Sequence, residues 1–124
     1  MNPDGRKIAE LQILQRKNTN QNHCADTTVG VDLNRNFAQT WNTTENGSSG
    51  NECDETYRGV SAESEPETQA VSAYIRTLYS DERGLADIDP APKHKSGLHL
   101  DLHSYGELVL WPYGHTAALS PNNV

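Results

Sequence analysis

Ser64-Glu65-Pro66-Glu67-Thr68-Gln69-Ala70-Val71-Ser72-Ala73-Tyr74-Ile75-Arg76-Thr77-Leu78, followed by Leu98-His99-Leu100-Asp101-Leu102-His103 and Glu107-Leu108-Val109-Leu110-Trp111, decides the fold class. Ser64 stands where an N-cap would, Pro66 falls in the first turn, and Glu67 follows the serine by three residues to close a capping box. Ala70, Val71, Tyr74, Ile75 and Leu78 then recur at helical spacing and mark one buried stripe. The helix is expected to stop near Asp81–Gly84, and Pro90 and Pro92 keep the next segment non-helical. Leu98, Leu100 and Leu102 alternate with His99, Asp101 and His103, the period of a strand. The run from Leu108 to Trp111 is nearly continuous, as in a strand covered on both faces. Helix, then strand, then a doubly covered strand implies an α/β layered domain.

Upstream the pattern is looser. Asn2-Pro3-Asp4-Gly5 reads as a turn, and Ile8, Leu11 and Leu14 form a short periodic patch before a polar stretch. Val29 to Phe37 reads as a short strand running into a loop. Residues 38–59 are almost all polar, and a loop of that length generally means function or disorder.

Composition bounds the rest. The chain has 124 residues and a formal net charge of −7, with 10 Lys and Arg against 17 Asp and Glu. Leu, Ile, Val and Phe make up about 18% of it, below the level at which an independent core is expected. A piece of a larger domain explains that shortage, because neighbouring elements would supply the missing apolar faces. No apolar run approaches a membrane span, and the first residues carry no signal-peptide core. An acidic chain without a basic stripe argues against nucleic acid. Cys24 and Cys53 could close a loop of about 30 residues with one disulfide, worth roughly 3–4 kcal/mol in the chain-entropy account. Asn42-Thr43-Thr44 and Asn46-Gly47-Ser48 are glycan acceptor patterns inside that loop. Together these features lean toward an oxidising, extracellular compartment; two buried thiols and chance acceptor patterns are the alternative.

Two constellations could carry chemistry. His99, Asp101 and His103 share one face of the alternating segment and could hold a divalent metal, or could merely make polar contacts with a covering loop. His103 stands apart, since it ends its strand, where ligands sit in open α/β sheets. Arg35, flanked by Asn34 and Asn36, suits two-pronged capture of a carboxylate; the plain alternative is a structural pairing with Asp32 or Glu55.

Six ordered motifs then resemble one family. Asn2-Pro3-Asp4-Gly5, Arg16-Lys17-Asn18, Val31-Asp32-Leu33-Asn34-Arg35-Asn36-Phe37, Glu55-Thr56-Tyr57-Arg58-Gly59, Ser64-Glu65-Pro66-Glu67-Thr68 and His103-Ser104-Tyr105-Gly106 are similar to the central part of the zinc carboxypeptidases of the A, B and T type. The resemblance implies a three-layer α/β/α domain with a mixed, doubly wound sheet, of which residues 1–124 are an incomplete part. It implies a hydrolase that removes C-terminal residues from peptides or proteins, with one zinc ion, acting as a monomer. By the same resemblance His103 is a zinc ligand, Asn34 and Arg35 grip the substrate's terminal carboxylate, and Arg16 stabilises the oxyanion. Ser104 and Tyr105 line the substrate cleft, and His99 and Asp101 lose their ligand role. The peptide bonds Ser104–Tyr105 and Pro112–Tyr113 are expected to be cis. The family's His-x-x-Glu ligand pair is expected upstream of Asn2, and its general-base glutamate and mobile tyrosine downstream of Val124. The chain alone is therefore expected to be inactive. A non-catalytic carboxylate-binding module and a peptidoglycan-stem peptidase on the same fold are the rival readings.

Overall fold

The computed structural model describes residues 2–20, 24, 28–86, 89–94, 97–103 and 106–121. The chain divides into two compact units, residues 1–75 and 76–124.

The first unit opens with helix α1, Pro3–Ala9. Asn2 is its N-cap, accepting from the Gly5 N–H, and Pro3 takes the first helical position. The Asn-Pro-Asp-Gly stretch read as a turn is therefore a helix start. The two share residue types, because a cap and a turn both need a short polar side chain ahead of proline's fixed φ. Leu11 and Leu14 of the expected periodic patch are exposed.

The segment read as a short strand, Val29 to Phe37, forms none; Asp32 alone is seen extended, ahead of a tight turn. The Asn18 N–H donates to the Val31 carbonyl (3.0 Å), and the Asp32 N–H donates to the Tyr57 carbonyl (2.9 Å). The chain then tightens into a 3-10 turn over Leu33–Arg35, capped by Asp32. The long polar loop is a succession of turns rather than a disordered strap. Trp41 fastens it by donating from Nε1 to the Arg58 carbonyl (3.2 Å), and Ser49 and Tyr57 form a lone parallel bridge. Cys24 and Cys53 are disulfide-bonded with Cα atoms 5.3 Å apart, as their bracketing of the loop allowed.

Helix α2 covers Pro66–Leu78. Its start departs from the capping-box reading. The Ser64 hydroxyl donates to Glu65 Oε1 and accepts from Asn36 Nδ2, so Ser64 is engaged elsewhere. Glu65 takes the cap position, its carbonyl accepting from the Gln69 N–H (3.1 Å). The helix ends three residues before Asp81. Thr68 and Ser72 are its buried residues, whereas Tyr74 and Leu78 of the expected apolar stripe are exposed.

The buried interior of this unit is mostly polar. Val31, Leu33 and Tyr57 are its buried apolar side chains, beside buried Lys17, Asn18, Asp32, Asn36, Glu65, Thr68 and Ser72. Burial of such groups is tolerable only when each is hydrogen-bonded. Asn36, 0% exposed, meets that condition most fully. Its Nδ2 reaches the carbonyls of Arg58 and Ser61 and the Ser64 hydroxyl at 2.9, 3.1 and 2.9 Å. Its Oδ1 accepts from the Glu65 N–H (3.1 Å) and the Thr68 hydroxyl (2.6 Å). Glu65 Oε2 accepts from the amides of Asn18 (2.7 Å) and Asn20 (2.9 Å). Two glycines make room for this packing. Gly30 lies at φ +94°, and a Cβ there would stand 1.8 Å from the Asn18 carbonyl oxygen. Gly59 lies at φ +84°, and a Cβ would meet Ser64 Oγ and Asn36 Nδ2 at 2.5 and 2.6 Å.

In the second unit the alternating and continuous apolar segments show no strand ladder among the described residues. Leu98, Leu100, Leu102 and the run Leu108–Trp111 are all exposed. A strand needs a neighbour to take its N–H and C=O groups, and no such neighbour stands among these residues. Local order comes from Tyr79, whose hydroxyl donates to the Leu98 carbonyl (2.8 Å), and from Arg83, which donates to the Tyr113 hydroxyl (3.3 Å). Pro112–Tyr113 is cis, as the resemblance implied; Ser104–Tyr105 lies outside the described residues.

Two outcomes follow from the polar interior and the bridge. Asn36→Ala strands five partners between Arg58 and Thr68, Glu65 and Thr68 of them buried, and should destabilise the protein by about 3 kcal/mol or more, read by denaturant unfolding. Denatured, unreduced chain should titrate no free thiol; two reactive thiols would contradict the Cys24–Cys53 bond.

Candidate functional site

Arg16 and Lys17 are set by α1. The Asn2 side chain, while capping the helix, donates from Nδ2 to the carbonyls of both Arg16 and Lys17 at 3.0 Å. Asp4 accepts from the Thr19 N–H (3.2 Å) and hydroxyl (2.7 Å), and these bonds hold its carboxyl below the ordinary carboxylate value. The helix start thus grips residues 16–19 from two sides.

Consecutive side chains then part ways. Lys17 turns inward, 1% exposed, and its Nζ donates to the carbonyls of Thr28, Glu52 and Asp54. Three acceptors match the three protons of an ammonium. The Tyr57 ring lies 5.7 Å from Nζ on another side. Burial pushes the ammonium below its ordinary pKa, opposed by the carboxylates of Glu55, Asp32, Asp54 and Glu52. Burial likewise raises the Tyr57 phenol, with the Glu52 and Glu65 charges adding to it.

Arg16 turns outward. Its Nε and Nη2 both donate to Asp32 Oδ2, at 2.9 and 2.7 Å. The guanidinium side chain is 46% exposed, whereas Asp32 is 3% exposed. The other oxygen, Asp32 Oδ1, accepts from the Asn34 N–H (3.1 Å) and so caps the 3-10 turn. The plain reading of Arg35 as a partner of Asp32 is thereby corrected, because Arg16 occupies that carboxylate. Arg35 instead makes one long bond from Nη1 to the Asn34 carbonyl (3.3 Å). Its Nε is buried without a partner among the described residues, a donor held in reserve. Asn34 is exposed, and its side-chain amide makes no bond among the described residues. Arg16, Asn34 and Arg35 are therefore all attached to Asp32 or to the turn it caps.

His103 lies in the second unit. Its Nε2 stands 3.1 Å from Asp101 Oδ2, with both side chains well exposed. His99 instead meets the Tyr79 ring edge-on, centroids 6.5 Å apart. Among the described residues no three His, Cys, Asp or Glu side chains gather as a metal site. A catalytic zinc takes about three protein ligands, so His103 and Asp101 do not suffice to hold one. Ser104 and Tyr105 fall outside the described residues. Sequence reasoning assigned no role to Lys17, Asn18 or Glu65, and named Asp32 and Asn36 only as neighbours of Arg35.

Comparison with known proteins settles the class. The profile described as "Zinc carboxypeptidase" (Peptidase M14) matches residues 1–124, and the chain belongs to that family. It is 35% identical over 108 residues to mast cell carboxypeptidase A of Homo sapiens, covering 87% of this chain and 22% of that protein. It is 36% identical over 107 residues to Homo sapiens carboxypeptidase B, covering 86% and 22%. With zinc carboxypeptidase A 1 of Drosophila melanogaster it shares 37% over 125 residues, covering 99% and 24%. The chain thus spans about a quarter of the length of the curated relatives it matches.

The donor count carries one expected outcome. Calorimetric titration of residues 1–124 with zinc should show no stoichiometric sub-micromolar site; tight binding would require ligands other than His103 and would return His99 and Asp101 to consideration.

Proposed function

We propose that the full-length protein containing this chain is an exopeptidase that removes C-terminal residues from peptides or proteins. The observation that supports it best is the cluster around Asp32: two arginines and an asparagine, attached to one buried carboxylate and the turn it caps, in a member of the zinc carboxypeptidase family. In this reading residues 1–124 are part of a three-layer α/β/α domain whose mixed sheet takes up the apolar segments 98–103 and 107–111. His103 is one zinc ligand of the whole enzyme, and the others come from outside these residues.

An exopeptidase acting at the C-terminus must recognise a terminal carboxylate. A guanidinium offers two parallel donors that match the two carboxylate oxygens, and a primary amide beside it adds a neutral donor. Arg35 and Asn34 are suited to that task, since neither side chain donates to another side chain among the described residues. Arg16 keeps Nη1 uncommitted while Nε and Nη2 bind Asp32, so it can present a fixed donor to an oxygen on which negative charge develops. Ser104 and Tyr105 belong to the cleft wall in this reading. The disulfide fits an extracellular or secretory location, and the acting unit is a monomer on a peptide C-terminus, with no nucleic acid or membrane involved.

In the full-length enzyme Arg35→Ala should chiefly raise KM, because the clamp acts in ground and transition states alike. Arg16→Ala should chiefly lower kcat, by roughly 10²–10³. The opposite split between the two variants would overturn the assignment. Peptide substrates blocked at the C-terminus as amides should be cleaved poorly. Turnover of a peptidoglycan stem peptide in preference to a blocked dipeptide would shift the substrate class, and binding without turnover would make the protein a carboxylate-binding module.

A further inference from the structure

We propose that Asp32 is a positioning residue with two separable outputs: Oδ2 orients Arg16, and Oδ1 shapes the turn that presents Asn34 and Arg35. The inference rests on the exopeptidase reading of Arg16, Asn34 and Arg35 and names what keeps those groups in register.

The geometry separates the two outputs. Arg16 bonds through Nε and Nη2 to the same oxygen, which lies between them and so points Nη1 away from Asp32 along a set direction. A single contact would leave the plane free to swing about it. Among the described residues Oδ1 accepts from the Asn34 N–H alone, so the turn is held through a different atom. Asp32 itself cannot drift. Its side chain is 3% exposed, its N–H is bonded to the Tyr57 carbonyl, and its carbonyl accepts from the Arg35 N–H (2.8 Å). Val31 before it is held by Asn18 through both N–H and C=O. Both residues of this strip are thus tied by backbone hydrogen bonds, and the exposed Arg16 side chain is the part being oriented. A displaced donor of this kind costs as much as about 10²-fold in rate.

The isosteric and truncating variants read the two oxygens separately. Asp32→Asn keeps an oxygen for the Asn34 N–H and loses the charged acceptor for Arg16. It should lower kcat about 10-fold or more with KM nearly unchanged. Asp32→Ala removes both acceptors and should lower kcat and raise KM together. The deciding measurement is a cycle with Arg16→Ala in the full-length enzyme. If Asp32 acts through Arg16, Asp32→Asn has little further effect on kcat once Arg16 is alanine. Equal losses in both backgrounds would overturn the positioning role while leaving the exopeptidase reading intact. An unchanged kcat in Arg16→Ala alone would overturn the oxyanion assignment, and the positioning role would fall with it. Should the Asp32 variants fail to fold, methylguanidinium added to Arg16→Ala decides the matter. Saturable rescue of kcat, greater than methylammonium gives at equal concentration, supports a preset fork-binding carboxylate; absence of that rescue refutes it.

Discussion

A carboxamide with no exposure to water organises the first unit. Asn36 joins the 3-10 turn to residues 58, 61, 64, 65 and 68, and it does so by hydrogen bonds rather than by apolar contact. Such a centre is unforgiving. An apolar core loses packing by degrees when a methylene is removed, whereas a buried amide that loses a partner exposes the full desolvation cost of that partner. The dependence runs outward from there: Glu65 is oriented by Asn36 and Ser64, and its carboxylate in turn fixes Asn18, which brackets Val31. The site residues stand at the end of that chain of dependence.

This arrangement explains how a segment so thin in apolar residues is compact at all. Its buried side chains are few in apolar character but nearly complete in hydrogen bonding, and the disulfide limits the freedom of the loop that closes over them. Among its described residues the second unit buries no polar side chain of this kind. Its order rests on Tyr79, Arg83 and Tyr113, while its leucines remain exposed. Exposed apolar faces of that extent are characteristic of surfaces built to be covered.

Legibility in the sequence tracked the range of the interaction. Helix α2 was readable because Pro66 and the 3.6-residue period are local signals, although the cap proved to be Glu65 once Ser64 was drawn to Asn36, 28 residues away. The Cys24–Cys53 bond was readable because only two cysteines exist. Arg16, Asn34 and Arg35 were nameable as residues of interest, but the pairing of Arg16 with Asp32 was not, since nothing local distinguishes it from a pairing with Arg35. The turn reading of Asn2-Pro3-Asp4-Gly5 failed for a related reason: the same dipeptide chemistry begins a helix when the following residues can continue one. The polar interior was invisible to a search for apolar periodicity, because hydrogen-bond satisfaction has no period. The period-two pattern at Leu98–Leu102 describes a segment's faces and says nothing of which chain lies beside it.

Lys17 has a consequence for timing. Because its ammonium is surrounded by the carbonyls of Thr28, Glu52 and Asp54, the backbone at Arg16 is immobilised when the protein folds, before any ligand arrives. The entropy of placing that backbone is spent once, during maturation, and is not charged again at each encounter. The root of the Arg16 side chain is therefore already still, and the Asp32 carboxylate holds its guanidinium as well.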